Sequence, residues 1–268
     1  MKTILELRRE RESRTPIRKM ITHLSHYYSD GGDTAISVKL VEQVVDKLNI
    51  DWYNAHLKIL DVKSNHATFS LIIIEKLLNH GHHIDHILDN MIYAIDGDKI
   101  QSMTSNKAFL NVFKRSGNIY HEDFLTYDFK MKFDLIVGNP PYGKNANLAI
   151  NFLNKAKSLS DNIHFVLPRT FRKISTLNRI SKNLHLVHDE TVPDEFFPGG
   201  IVTCYQHWVF KEELRPTIKT PRNHPDFEFV SKSDSFLNQI RMCSLVELVL
   251  LVLSKLRVMI TMETNTIF

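Results

Sequence analysis

An α/β fold with a mostly parallel central sheet is predicted for this 268-residue chain by three observations. Short apolar runs recur along it, each ending in a polar residue or a turn. Stretches with apolar residues at helical spacing fall between them, and that alternation is the signature of strands joined by helical crossovers. After the run at 133–138 comes a proline-locked tetrapeptide, Asn139-Pro140-Pro141-Tyr142. Two consecutive prolines fix φ and remove two backbone donors, so the chain must leave the sheet there as a stiff turn.

Taken in order, residues 1–30 read as a helical arm, and Asp30-Gly31-Gly32-Asp33 is a break that opens the main domain, 31–211. Residues 37–48 carry apolar positions at helical spacing. Residues 58–61 read as a first strand ending in Asp61, and 68–78 as the helix after it. Residues 91–96 form a second short strand ending in Asp96, and 133–138 a third. Residues 163–167 are a further strand, closed by Pro168, and 201–210 a late one. Residues 212–234, rich in Pro, Lys, Thr, Asn and Asp, read as a loop. The tail 236–268 is unpatterned and then strongly apolar, and of two readings, a buried terminal helix or a truncated or frame-shifted end, the second is favoured.

Composition narrows the class. With 43% apolar residues the chain can bury a full core, and a net charge of +4 permits nucleic acid without requiring it. Its two cysteines, Cys204 and Cys243, suit a reducing compartment rather than a disulfide framework. The first 18 residues are charged throughout, unlike a secretory signal. The most apolar tract, 245–253, is shorter than the about 20 residues that span a bilayer, so no membrane role is expected. His82 and His86 lie four apart, but no glutamate base and no cysteine pairs complete a metal set, and a polar connection is the expected reading. The N-terminal run Arg8, Arg9, Arg11, Arg14, Arg18 and Lys19 is interleaved with glutamates, as a solvated segment would be.

An ordinary strand exit would account for the prolines at 140 and 141, but not for asparagine before them and tyrosine after. Asn-Pro-Pro-Tyr behind an apolar strand resembles the signature of S-adenosylmethionine-dependent methyltransferases acting on planar exocyclic amines, above all the DNA N6-adenine methyltransferases of restriction-modification and phage systems. The resemblance spans about 33–211 and implies a Rossmann-like methyltransferase fold, with helices on both faces of the sheet and a late antiparallel hairpin. Adenine N6 is a poor nucleophile because its lone pair is delocalised into the ring. Acceptors that hold its two hydrogens let the nitrogen pyramidalise. By the family's mechanism Asn139 and the carbonyl of Pro140 are those acceptors, Pro141 stiffens the loop, and Tyr142 stacks on a base flipped out of the duplex.

The same resemblance implies S-adenosyl-L-methionine as cofactor. It places Thr34 beside its methionine end, Asp61, Thr68 and Phe69 among the cofactor-binding residues around the loop after the first strand, Asp96 on its ribose hydroxyls, and Asp123 with Phe124 on its adenine. Arg169, Arg172 and Lys173 follow the 163–167 strand on the catalytic side and are expected to contact DNA phosphates. No proline precedes either cysteine, so the context of a C5-cytosine methyltransferase is absent. DNA is the expected partner, with room for a separate specificity or restriction subunit, in the cytoplasm of a bacterial or phage-infected cell. RNA and protein glutamine are alternative substrates, since the tetrapeptide suits any planar amine or amide. A degenerate binding or specificity partner is the non-enzyme alternative. It is kept open by the loop 61–69, which lacks the glycines that related enzymes carry there.

Overall fold

The computed structural model describes residues 16–21, 23, 36–196, 202–219, 227–229 and 258–260. Thr34, Phe197 to Gly200, Cys243 and most of the tail lie outside the described residues, as do the expectations that fall on them. The chain divides into two compact units, Met1–Thr217 and Ile218–Phe268.

In the first unit, β1 (Ile59–Val62), β2 (Ile92–Ile95), β3 (Asn118–Tyr120), β4 (Leu135–Gly138), β5 (Asn162–Pro168), β6 (Leu184–Thr191) and β7 (Thr203–Phe210) form one sheet, ordered β3-β2-β1-β4-β5-β7-β6. The first five are parallel. β7 inserts antiparallel between β5 and β6 and closes the sheet with a hairpin. This is the Rossmann-like arrangement expected from the sequence. β1, β2 and β4 are buried along their whole length, as strands covered on both faces must be.

Strand alternation splits the core in two. Ile59, Leu135 and Val137 point to one face, where α1 (Val38–Asp46), α2 (Thr68–Asn79) and α3 (Lys99–Phe113) pack. Leu60, Val62 and Ile136 point to the other, under α4 (Asn147–Ala156), with Phe171 and Trp208 fully buried beside them. α1 buries Val38, Leu40, Val41, Val44 and Val45, a one-sided stripe, whereas α2 is buried nearly all round because α1 covers its outer side. Residues 16–21 are helical and pack onto this layer: Ile17 and Ile21 join its core, and Arg18 pairs with both Glu42 and Glu75. Among the described residues no helix is long and apolar enough to cross a membrane.

Among the second unit's described residues are two strands, β8 (Phe227–Phe229) and β9 (Val258–Ile260), paired in parallel. Residues 258–260 of the apolar tail are therefore a strand.

Candidate active site at the carboxyl ends of three strands

Register alone assembles the site. Val62 lies level with Ile95 on one side and Gly138 on the other, so the next residues, Lys63, Asp96 and Asn139, leave three adjacent strands side by side. β1 and β4 flank the point at which the strand order reverses, where doubly wound sheets open a crevice. Gly138 permits this closeness: a Cβ built there would stand 2.3 Å from the Val62 carbonyl oxygen and 2.8 Å from Val62 Cγ2.

Asn139 is buried, and its side-chain oxygen accepts a 3.0 Å hydrogen bond from the Tyr142 hydroxyl. Burial pushes the Tyr142 phenol far above its ordinary value, which keeps it protonated and a donor. The tetrapeptide thus holds its own acceptor satisfied, with Tyr142 folded back over Asn139.

Beside the loop lies a cleft of about 250 Å³, whose lining includes Asp96, Asp123, Phe124, Pro141 and Lys63. Of the sequence-derived candidates it therefore brings together Asp96, Asp123, Phe124 and Pro141, while Asn139, Pro140 and Tyr142 do not line it. Phe152 and Leu148 on α4 also line it and are not among those candidates; Phe152 packs on Phe124 with ring centroids 5.0 Å apart. Their signal was available, because residues 148 and 152 are one helical turn apart directly after the catalytic loop. Thr68 and Phe69 are buried in the first turn of α2 and do not line the cleft.

The glycine-free loop between β1 and α2 enters the left-handed region three times. Lys63, Asn65 and Ala67 all have positive φ, 59°, 48° and 59°. Asparagine enters this region readily, whereas alanine is strained there by about 1–2 kcal/mol. Asp61 sits under the loop. Its Oδ2 accepts from the Ser70 amide (3.1 Å) and hydroxyl (2.7 Å), while its Oδ1 is buried with no hydrogen-bond partner. Burial, offset in part by the Ser70 bonds and reinforced by Asp96, pushes the Asp61 carboxyl up to about 7. Asp61 itself does not line the cleft.

Asp96 accepts three hydrogen bonds: from Lys63 Nζ (2.8 Å) and the Asp98 amide (3.0 Å) on Oδ1, and from the Asn65 amide (3.0 Å) on Oδ2. Asp123 turns its Oδ1 to the Leu125 amide. Asp98, also on the cleft, caps α3 through the amides of Ile100 and Gln101.

The basic cluster separates. Arg169 and Lys173 are exposed, but Arg172 is committed within the fold: it pairs with Asp189 at 2.7 Å and bonds the Thr191 hydroxyl at 2.8 Å. His82 and His86 direct Nε2 to the carbonyls of Trp52 and Ala55, tying a loop down; among the described residues no cluster is set to hold a metal. A second buried network links β5 and β7. Asn162 Oδ1 accepts from Nε2 of both His164 (2.9 Å) and His207 (2.8 Å), leaving His164 Nδ1 to accept from the Tyr205 hydroxyl at 2.7 Å.

Sheet order, crevice and cleft together define the fold of the S-adenosylmethionine-dependent methyltransferases. Structures sharing it include a protein described as a class I S-adenosylmethionine-dependent methyltransferase from Listeria monocytogenes, with a TM-score of 0.52 and 14% identity over 75% of this chain and 67% of that one. A protein described as a modification subunit of a type I restriction enzyme from Vibrio vulnificus YJ016 has a TM-score of 0.53 and 15% identity over 67% of this chain and 45% of that one. TrmN from Thermus thermophilus follows at 0.49 and 17%, over 65% and 48%. The chain thus spans about half the length of the last two. More particularly, the chain belongs to the Eco57I restriction-modification methylase family, whose model matches residues 21–171. No curated protein matches it.

Proposed function

We propose that this chain transfers a methyl group from S-adenosyl-L-methionine to the N6 amine of adenine in DNA. The observation that carries the reading is the placement of Asn139: a buried side-chain oxygen held on a double-proline turn at the sheet's switch point, in a turn whose Pro141 lines a cleft with Asp96, Asp123 and Phe124. The cofactor supplies an electrophilic methyl group. Asp96 is suited to its ribose hydroxyls, and Asp123 and the Phe124–Phe152 pair to its adenine. On the family resemblance, Thr34 is assigned to its methionine end, and Asp61 and the first turn of α2 to cofactor binding around the loop after β1.

On the substrate side, Asn139 Oδ1 and the Pro140 carbonyl accept the two amine hydrogens, and Pro141 prevents the loop from yielding. Tyr142 releases Asn139 and stacks on the flipped base, a contact worth about 1–3 kcal/mol on aromatic platforms. In-line displacement of S-adenosylhomocysteine by the amine nitrogen would need positioning more than a strong base, because the surplus N6 proton becomes acidic once the N–C bond has formed and can pass to water. Arg169 and Lys173 are assigned to phosphates, and sequence recognition to a further segment or a separate specificity or restriction subunit. The setting that suits this chemistry is the cytoplasm of a bacterial or phage-infected cell.

The test is transfer of labelled methyl groups from the cofactor to unmethylated DNA, with RNA and protein in parallel reactions. Label in DNA supports the reading; label only in RNA or protein redirects it. The strained loop and the Lys63–Asp96 pair favour a second reading, a binding partner that has lost catalysis, which failure to bind the cofactor would support.

A further inference from the structure

Lys63 is a residue of the cleft to which neither the fold nor the family gives a task. It is held by its backbone, since its amide donates to the Ile95 carbonyl at 2.9 Å and extends the sheet by one residue. Its φ of 59° is a conformation a lysine has no reason to prefer. From there its ammonium reaches Asp96 Oδ1 at 2.8 Å, on a carboxylate wholly removed from solvent.

The acceptor capacity of Asp96 decides what this contact does. A carboxylate offers about four lone-pair sites, two on each oxygen. Both sites on Oδ1 are in use, by Lys63 Nζ and the Asp98 amide, whereas Oδ2 carries only the Asn65 amide. A vicinal diol gripped by both oxygens needs one site on each. The two amides are fixed by the chain, so the lysine is the donor that has to move. It is able to, because its side chain is 24% exposed and opens to water.

On the reading that this cleft takes S-adenosylmethionine, we infer that Lys63 is an affinity-determining latch: it occupies the ribose-binding carboxylate of the unliganded protein and must be displaced before the cofactor's diol is held. A lysine at this place weakens the cofactor rather than recruiting it.

Calorimetric titration of the full chain with S-adenosylmethionine and S-adenosylhomocysteine tests the latch. Lys63→Asn removes the cation while tolerating the left-handed backbone, Lys63→Met is a second uncharged variant in case the first folds poorly, and Lys63→Arg keeps the charge. The uncharged variants should bind both ligands about tenfold tighter than the natural chain, and Lys63→Arg within about twofold of it. Without ligand, the uncharged variants should melt earlier than the natural chain, yet gain more from added cofactor. Measurable binding by the natural chain with equal or weaker binding by the uncharged variants overturns the latch and leaves the methyltransferase reading standing. No binding by any of the four proteins overturns both.

Discussion

Replacing Gly138 by alanine should damage this protein out of proportion to the single methyl group added. The new Cβ would lie 2.3 Å from the Val62 carbonyl oxygen and 2.8 Å from Val62 Cγ2. Folded proteins essentially never hold a Cβ closer than 3.0 Å to a neighbouring heavy atom, so β1 and β4 have to part by at least about 0.7 Å. Neither strand is free to yield, because each is paired on both sides. Parting them by that amount stretches inter-strand bonds from about 2.9 Å to about 3.6 Å, beyond useful hydrogen-bond length. Two weakened bonds at about 1 kcal/mol each, with about 1–3 kcal/mol for overpacking a tight interior, give a loss of roughly 3–5 kcal/mol. Urea unfolding followed by circular dichroism measures it. The same displacement moves Asn139 relative to Asp96, so turnover should fall further than stability accounts for. A loss under about 1 kcal/mol with unchanged turnover would refute the claim that the β1–β4 approach builds the site.

Four other outcomes follow from the same geometry. Asn139→Ala should lower methyl transfer by a factor of about 100 or more with little change in stability, as loss of a preorganised polar group does; turnover above a tenth of the natural value in steady-state assays contradicts the acceptor role. Tyr142→Phe should retain stacking on the base while freeing Asn139 Oδ1, so its fluorescence signal on a duplex with a base analogue at the target adenine should match the natural chain; a signal as weak as that of Tyr142→Ala would show that the hydroxyl, not the ring, matters. Asn65→Gly with Ala67→Gly should tighten S-adenosylmethionine binding by about tenfold, near 1.4 kcal/mol, as side-chain atoms are removed from positions where related enzymes let the bare backbone approach the cofactor; unchanged affinity by calorimetry would show that the loop tolerates its residues. Burial, reinforced by His207 and His188, pushes the His164 imidazole down to about 3 from an ordinary 6.5, so the unfolded chain binds its proton first. The stability it supports is full above pH 6.5 and lost as pH falls from there towards 3, by up to about 1.4 kcal/mol per pH unit. Urea midpoints from pH 7.5 to 4 should show that decline, and His164→Gln should flatten it.

The parts of the fold legible in the sequence are those whose physics is local. β1, β2 and β4 announce themselves because strands covered on both faces are nearly continuous apolar runs, with Asp61 the one charged residue among them, and the double proline marks the place where β4 must end. β3 and β6 gave no such signal. β3 is three residues long, and β6, an edge strand, buries only Leu184 along its length, so no apolar period betrays it. The site divides in the same way. Asn139 and Asp96 stand at strand ends and were readable, whereas the Lys63–Asp96 contact depends on the register of two strands far apart in sequence. Arg172 shows the same dependence: its neighbours suggest phosphate, while the ion pair it makes is with Asp189, on a strand the sequence did not reveal.

The most direct test of the central claim is nucleoside analysis by mass spectrometry of unmethylated DNA incubated with the purified chain and isotopically methyl-labelled S-adenosylmethionine. N6-methyladenine carrying the label, absent with Asn139→Ala, is the predicted result. Label confined to another nucleoside, or equal labelling by the Asn139→Ala variant, would contradict it.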